Sequence, residues 1–412
     1  MSETPASPVT DAEPTGLMRQ AGISYFPIAL IARLPFAMNV VGVMTLVVAA
    51  RESILLGGYT AAAVGVGTAV AGPLLGAAAD RYGQRYVMLL AGIGNALALL
   101  LMAWVAFAAV PDVWVLAVAV LVGATAPQVG PLSRTRLVAY IRRLPREKRA
   151  KTIQGTLAYE SAVDEIVFIF GPVLVGALAT TLNPAAPLIG AAILTVIFVS
   201  AFALHRSANV ATGGGTVKAE DQAPVSELFE IRVLIVVLGM LAVGLFFGSA
   251  LTSLTSWMDE RGAAEQTGLL YGLMGVTSAV LALSVAVFPA RFSLAARWVT
   301  FATVMVAGAY LIATASSDFS MMVALAITGL GVGPLIVNAY GLATERTPRG
   351  RSATVMTMLG SAIVVGQSAG SAIVGTIADG SGSAVALWAP LASAALILLL
   401  GLTNALLRPA QR

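Results

Sequence analysis

The sequence predicts an all-α membrane protein with twelve transmembrane helices in two pseudo-symmetric six-helix bundles, and three observations predict it. Of its 412 residues, 58% are hydrophobic and only 11% charged, whereas about a quarter are charged in soluble proteins. Apolar runs of about twenty residues or more alternate with short polar loops, the pattern of a chain that crosses a bilayer repeatedly. Finally, segments of the second half match segments of the first at nearly constant offsets.

Residues 1–20 are polar and mildly acidic, with no basic lead into a short apolar core. They read as a disordered cytoplasmic tail rather than a cleaved signal. Spans are expected at 24–50, 57–79, 86–110, 113–139, 152–182 and 185–205, making an N-terminal bundle over 21–205. The stretch 206–226, with Gly213, Gly214 and Gly215 among polar residues, reads as a cytoplasmic linker. Six further spans follow at 228–258, 267–289, 294–315, 319–343, 352–378 and 385–407, giving a C-terminal bundle over 227–407 and a short cytoplasmic tail at 408–412.

Orientation follows from the basic residues, which accumulate in cytoplasmic loops. With the N-terminus inside, Arg51 and Arg261 fall in outer loops and Arg33 inside the first helix, leaving 21 of the 24 Lys and Arg on the inner side. The outer loops hold Glu52, Asp112, Asp259, Glu260, Glu265, Asp318 and Asp379. Both termini are therefore expected in the cytoplasm. The run R-R-L-P-R-E-K-R-A-K from Arg142 to Lys151 is the strongest marker, an anchor at an anionic inner leaflet. The net charge of +4 follows from this topology, so no nucleic-acid partner is expected.

Several chemistries lack their parts. The chain has no cysteine and one histidine, His205, which sits where the sixth span meets the linker. Thiolate chemistry, a His-rich metal site and a Ser-His triad are excluded. Without a phosphate-binding P-loop, ATP is not the driving force. No enzymatic activity and no cofactor or metal are expected.

The fifth span carries the main energetic problem. It reads Q-G-T-L-A-Y-E-S-A-V-D-E-I-V-F-I-F-G-P-V-L-V-G-A-L-A from Gln154, with Glu160, Asp164 and Glu165 in one half and Gly171-Pro172 in the other. Each acidic residue near mid-membrane costs about 2.5 to 3.5 kcal/mol, so the three put roughly 7 to 10 kcal/mol against insertion. Some partner must offset that cost.

Internal repetition points to transport. A shift of 203 residues places Gly130-Pro131-Leu132 on Gly333-Pro334-Leu335, Arg143 on Arg346 and Pro145-Arg146 on Pro348-Arg349. A shift of 210 places Gly65-Val66 on Gly275-Val276, Ala69-Val70 on Ala279-Val280 and Arg81 on Arg291. Two related halves about an axis along the membrane normal enclose a central cavity whose access alternates as they rock.

The loop after the second span reads G-A-A-A-D-R-Y-G-Q-R from Gly76, and it resembles the G-x-L-A-D-R-x-G-R-K signature of the major facilitator superfamily. Gly76, Asp80, Arg81, Gly83 and Arg85 match; Ala78 and Gln84 depart from it. Gly83 permits a tight reversal, and Asp80 is an anion suited to the positive end of another helix. The resemblance implies a latch in which Asp80 contacts the start of the eleventh helix near Arg351 and Ser352. Its second-half counterpart is Ala290, so the latch is expected in one half only. Helix five also resembles the G-x-x-x-G-P-x-x-G-G motif of the superfamily's drug:proton antiporters, with Gly171, Pro172 and Gly176 matching and Val167 and Val175 replacing glycines. Pro172 frees a carbonyl and permits a bend, and the glycines permit close packing. The helix-four arginine of those antiporters is replaced by Ala119.

Arg33 reads as the one basic residue well inside a helix, at a depth similar to Glu160 and Asp164, which share a helix face. Helices one and five are neighbours in the superfamily, so Arg33 is expected to pair with Glu160 or Asp164. One cation cannot neutralise three acids, which leaves a carboxyl that is protonated or reaches cavity water. Asp164 and Glu165 are the expected titrating pair, with Arg33 as the partner that changes contact between states. The cavity helices of the family offer few interior polar residues, Asn39, Gln128 and Asn338, with Phe246 and Phe247 as apolar walls. An oily cavity suits a small hydrophobic or amphipathic compound. The expectation is a proton-coupled exporter in the plasma membrane, monomeric as is usual in the family, whose partners are a small-molecule substrate, protons and the lipid bilayer. A proton-coupled importer of a small metabolite and a lipid-moving protein are the alternatives.

Overall fold

The computed structural model describes residues 17–211, 222–263, 266–289 and 291–407. Among them, twelve helices are long and apolar enough to cross a bilayer. The first six are α1 (Tyr25–Arg51), α2 (Leu56–Tyr82), α3 (Gln84–Val105), α4 (Asp112–Ile141), α5 (Arg146–Thr181) and α6 (Ala186–Leu204). The second six are α7 (Ile231–Asp259), α8 (Thr267–Val287), α9 (Leu294–Ala313), α10 (Asp318–Arg346), α11 (Ser352–Ser381) and α12 (Ser383–Leu406). The all-α, six-plus-six architecture expected from the sequence is therefore the observed one. Residues 1–16 of the expected tail, 212–221 of the linker, Ala264, Glu265 of the expected outer loop, Ala290 and 408–412 lie outside the described residues.

Several boundaries differ from those the sequence suggests. Residues Leu17–Ala21 form a helical turn. Ala208–Ala211 and Val225–Phe229 place short helical turns at the two ends of the linker. Helix α5 starts at Arg146 rather than near 152, because Arg, Glu, Lys and Ala are strong helix formers and Glu147 faces the positive end of the helix.

Three of the spans are interrupted: α12 between Ser383–Ala386 and Ala389–Leu406, and α1 and α4, whose breaks adjoin the candidate site. In α1 the segments Tyr25–Ile31 and Leu34–Arg51 meet at Arg33, which precedes Pro35; the proline has no N–H for the Ile31 carbonyl and its ring crowds that oxygen. In α4, Pro127 separates Asp112–Thr125 from Val129–Ile141. By contrast, Pro172 in α5 and Pro334 in α10 sit inside continuous helices. The bend expected at Pro172 is not a break.

Each bundle has its own apolar interior. One buried cluster draws on α7 to α12 and includes Met240, Phe246, Trp298 and Met305, while two others draw mainly on α1 to α6, one of them also taking in Ala353 of α11. Leu157 and Ala158 of α5 belong to the C-terminal cluster, so the acidic helix packs into the opposite half. The bundles also meet along α2 and α11 through small residues. A methyl group added at Gly65 would lie 2.7 Å from Ser368 Oγ, and one at Gly76 would lie 2.8 Å from the Ala353 carbonyl oxygen. Such close approach is how helices associate where lipid offers no hydrophobic driving force. The end of the molecule carrying the 142–151 loop and the end of α10 is termed the basic side below.

Candidate functional site

The helix-five acids are met by two arginines, one more than the sequence suggests. Arg33, set at the break in α1, hydrogen-bonds Glu160 through Nη2 and lies 3.3 Å from Asp164 Oδ1 through Nη1. Arg134 of α4 donates from Nη2 to Asp164 Oδ2 at 2.6 Å. Ser133 donates to Glu160 Oε1 at 3.0 Å and in turn accepts from the Tyr25 hydroxyl at 2.7 Å. Arg33, Arg134 and Glu160 are buried, and the Asp164 side chain is 26% exposed. Two guanidinium groups thus balance two carboxylates, with further hydrogen bonds of the kind that a buried ion pair requires.

The reading of Arg33 as the one basic residue inside a helix is corrected by Arg134 and Arg136, which are 1% and 0% exposed on α4. Both fell within the expected fourth span, but their closeness to the basic loop made them resemble interfacial anchors. The signal was their depth: Arg134 lies two turns before the end of α4, much as Arg33 lies about two turns after the start of α1.

Glu165 stands apart from this balanced cluster. One residue beyond Asp164, it is turned by about 100° around the helix and meets the other half, where Ser278 of α8 donates to its Oε1. Its Oε2 is buried without a hydrogen-bond partner, and no arginine pairs with it among the described residues. The two residues expected to titrate together therefore have different surroundings. Asp164 is held by two cations, whereas Glu165 is the carboxyl left over.

Arg134 also reaches across the bundle boundary, its guanidinium carbon 3.8 Å from the Tyr340 ring centroid on α10. On the basic side, Asp80 accepts from the Ala353 N–H at 2.9 Å, the Thr354 N–H at 2.7 Å and the Thr354 hydroxyl at 2.7 Å. The contact falls at the start of α11, one residue beyond the expected Arg351 and Ser352. Arg351, at the N-cap position of α11, makes no side-chain capping bond, so the missing cap is supplied by α2 from the other bundle. Gly83 closes α2 at φ +89°. Arg81 lies 5.3 Å from the Tyr82 ring, and Arg85 donates to the Leu204 carbonyl of α6. Of the signature residues, Gly76 and Asp80 make the cross-bundle contact.

The remaining expected residues separate. Gly171 packs on α1, where an added methyl would lie 2.7 Å from Ala37 Cβ, while Gly176 has nothing within 4 Å; close packing is therefore a property of Gly171 alone. Gln128, in the break of α4, lies between halves, 3.8 to 3.9 Å from methyl positions at Gly72 of α2 and Gly360 of α11. Asn39 is buried with both amide atoms unpartnered. Asn338 is also unpartnered, but it lies seven residues after Gly331, which meets Phe301 and Met305 of α9. It therefore shares the face directed into its own bundle. Phe246 is fully buried in the C-terminal core, with Phe247 6.4 Å away and partly exposed.

The family model of the Major Facilitator Superfamily matches residues 25–318. No curated protein matches the chain by sequence. Among solved structures, the human organic anion transporter MFSD10 (TETRAN) is 19% identical with a TM-score of 0.70, covering 94% of this chain and 99% of that one. The proton:xylose symporter XylE is 15% identical with a TM-score of 0.68, covering 92% and 95%. A bacterial homologue of the iron transporter ferroportin, in an outward-facing state, is 14% identical with a TM-score of 0.69, covering 92% and 99%. At these identities the likeness shows the fold alone.

Proposed function

Because the chain belongs to the major facilitator superfamily, we propose that it is a proton-coupled secondary transporter exporting a small hydrophobic or amphipathic compound. Its basic side is cytoplasmic in this reading, with both termini there, the protein acting as a monomer in the plasma membrane. The observation that carries the reading is Glu165, a carboxyl without a cation partner at the boundary between the bundles.

The charge balance gives this residue its role. Arg33 and Arg134 match Glu160 and Asp164, so the cluster is neutral when Glu165 is protonated and carries one surplus negative charge when it is ionised. A lone ionised carboxylate in a membrane interior is costly, and it is tolerated only when it meets water or a counter-charge. Proton binding at Glu165 therefore favours a closed, dry boundary with α8, while proton loss favours a boundary opened to water. Arg134 links the same cluster to Tyr340, so movement of α10 also acts on the Asp164 pair. Above the acids the surroundings are apolar, with Phe36 and Phe168 meeting edge to face at 6.5 Å, which suits an oily substrate.

The test is transport of a panel of amphipathic dyes in proteoliposomes under imposed pH gradients of either sign. Accumulation against the dye gradient in exchange for protons supports the reading. Transport in the same direction as the proton would reassign the protein to import, and transport indifferent to the gradient would exclude proton coupling.

A further inference from the structure

Arg136 is fully buried on α4, yet no carboxylate among the described residues pairs with it. Its Nε donates to Gln84 Oε1 at 2.8 Å, and its Nη1 donates to the Phe202 carbonyl at 2.6 Å and to Ser207 Oγ at 3.1 Å. Its guanidinium carbon lies 3.8 Å from the Phe202 ring centroid. Nη2 is left buried without a hydrogen-bond partner. Buried charges are ordinarily paired, so this one requires an account.

The surroundings add positive charge. Arg85, at the start of α3, donates from Nη2 to the Leu204 carbonyl at 3.2 Å, and its Nε is also buried and unpartnered. Arg206 follows α6 directly and lies beside Gly22, where an added methyl would be 2.9 Å from its Nη2. His205 accepts the Ser207 N–H at Nδ1, at 3.2 Å, which leaves the proton on Nε2. Burial first, and then Arg136 and Arg206, hold this histidine below its ordinary pKa. The Phe202 and Leu204 carbonyls are the negative end of α6, but a helix terminus amounts to only about half a charge. Against three arginines it leaves roughly two and a half positive charges unmatched among the described residues.

The rim of this cluster is apolar and outward-facing: Tyr82, Tyr86 and Leu204 are all more than half exposed. Tyrosines beside arginines are typical of the zone where headgroups lie. Guanidinium groups fit phosphate oxygens in a two-pronged fashion. We propose that the ends of α3, α4 and α6 on the basic side form a phosphate-binding site, with Arg85 and Arg206 as direct ligands and the buried Arg136 supplying charge from behind. The phosphate belongs either to an anionic lipid headgroup or to a free phosphate ion.

The exposed Arg206 and the half-buried Arg85 make the test possible without substituting the buried Arg136. Native mass spectrometry of the purified chain, delipidated and then offered phosphatidylglycerol or phosphatidylcholine, reads lipid binding; thermal stability with inorganic phosphate reads the free ion. The expected result is one phosphatidylglycerol retained by the unmodified chain, with at least tenfold weaker retention in the Arg85→Gln, Arg206→Gln double variant. An Arg142→Gln, Arg143→Gln variant of the neighbouring loop should retain it. Stabilisation by inorganic phosphate that is lost in the first double variant also supports the site, and assigns it to the free ion. Equal losses in both double variants would reduce the effect to general positive charge and overturn the proposal. No response to either ligand, or an undiminished response in the first variant, would overturn it as well.

Discussion

Replacing Asp80 by Asn should open the basic side, and the size of the effect follows from three hydrogen bonds. The carboxylate takes the N–H groups of Ala353 and Thr354 on separate oxygens and the Thr354 hydroxyl on one of them. An asparagine keeps one acceptor and turns an NH₂ toward the N-terminal end of α11, so at least one N–H loses its partner. Hydrogen bonds to a charged group contribute about 1.5 to 3 kcal/mol each, and a helix terminus adds up to about 1 to 2 for a negative charge. Allowing for the retained bond, the closed state should lose about 2 to 4 kcal/mol. At tenfold per 1.4 kcal/mol, that is a population shift of about 30- to 700-fold toward the open state. The chain has no cysteine, so spin labels at Arg143→Cys and Arg349→Cys, both exposed positions in opposite halves, report the distance without background. The account expects a longer distance to appear in Asp80→Asn and to be suppressed in Asp80→Glu relative to Asn. An unchanged distance distribution in Asp80→Asn would refute the assignment of this contact as the closing latch.

Other consequences can be checked independently. Gly76→Val should widen the same distance, since even a methyl there would lie 2.9 Å from Thr354 Cα as well as against the Ala353 carbonyl; thermal stability should fall little if the halves simply separate. Asp164→Asn leaves two buried guanidinium groups facing Glu160 alone. Because Asp164 is 26% exposed, the loss should sit at the low end of the 3 to 5 kcal/mol range for a broken buried pair, about 3 kcal/mol, measured by denaturation. Tyr340→Leu removes the ring beneath Arg134 and should cost about 0.5 to 2 kcal/mol of closed-state stability, read as slower exchange in proteoliposomes with unchanged substrate affinity.

Much of this architecture is legible in the sequence because bilayer physics leaves few choices. Twenty apolar residues in a row must form a helix, and the constant offsets between the halves mark two bundles, whereas the close approach of α11 at Gly65 and Gly76 is read from the structure. Asp80 could be placed at α11 because a signature at a known point in the topology fixes its neighbours. The charge cluster was legible by half. Glu160 and Asp164 share a helix face by spacing alone, and so point at one neighbour, whereas the direction of Glu165 depends on how α5 is rotated against α8. Arg134 was hidden because a buried arginine near a basic loop has the same sequence appearance as an anchor. Asn338 was misdirected for a related reason: its polarity suggests a cavity, while its rotation about α10, set by Gly331 against α9, turns it into the bundle.

The central claim is that Glu165 carries the coupled proton, and proton movement itself tests it most directly. Purified protein in lightly buffered solution, with a pH indicator, should release protons when substrate is added to the unmodified chain. In Glu165→Gln, which can still accept the Ser278 hydrogen bond, that release should vanish and pH-driven accumulation in proteoliposomes should stop, while substrate exchange without a gradient continues. Proton release and gradient-driven accumulation at unmodified levels in Glu165→Gln would contradict the account.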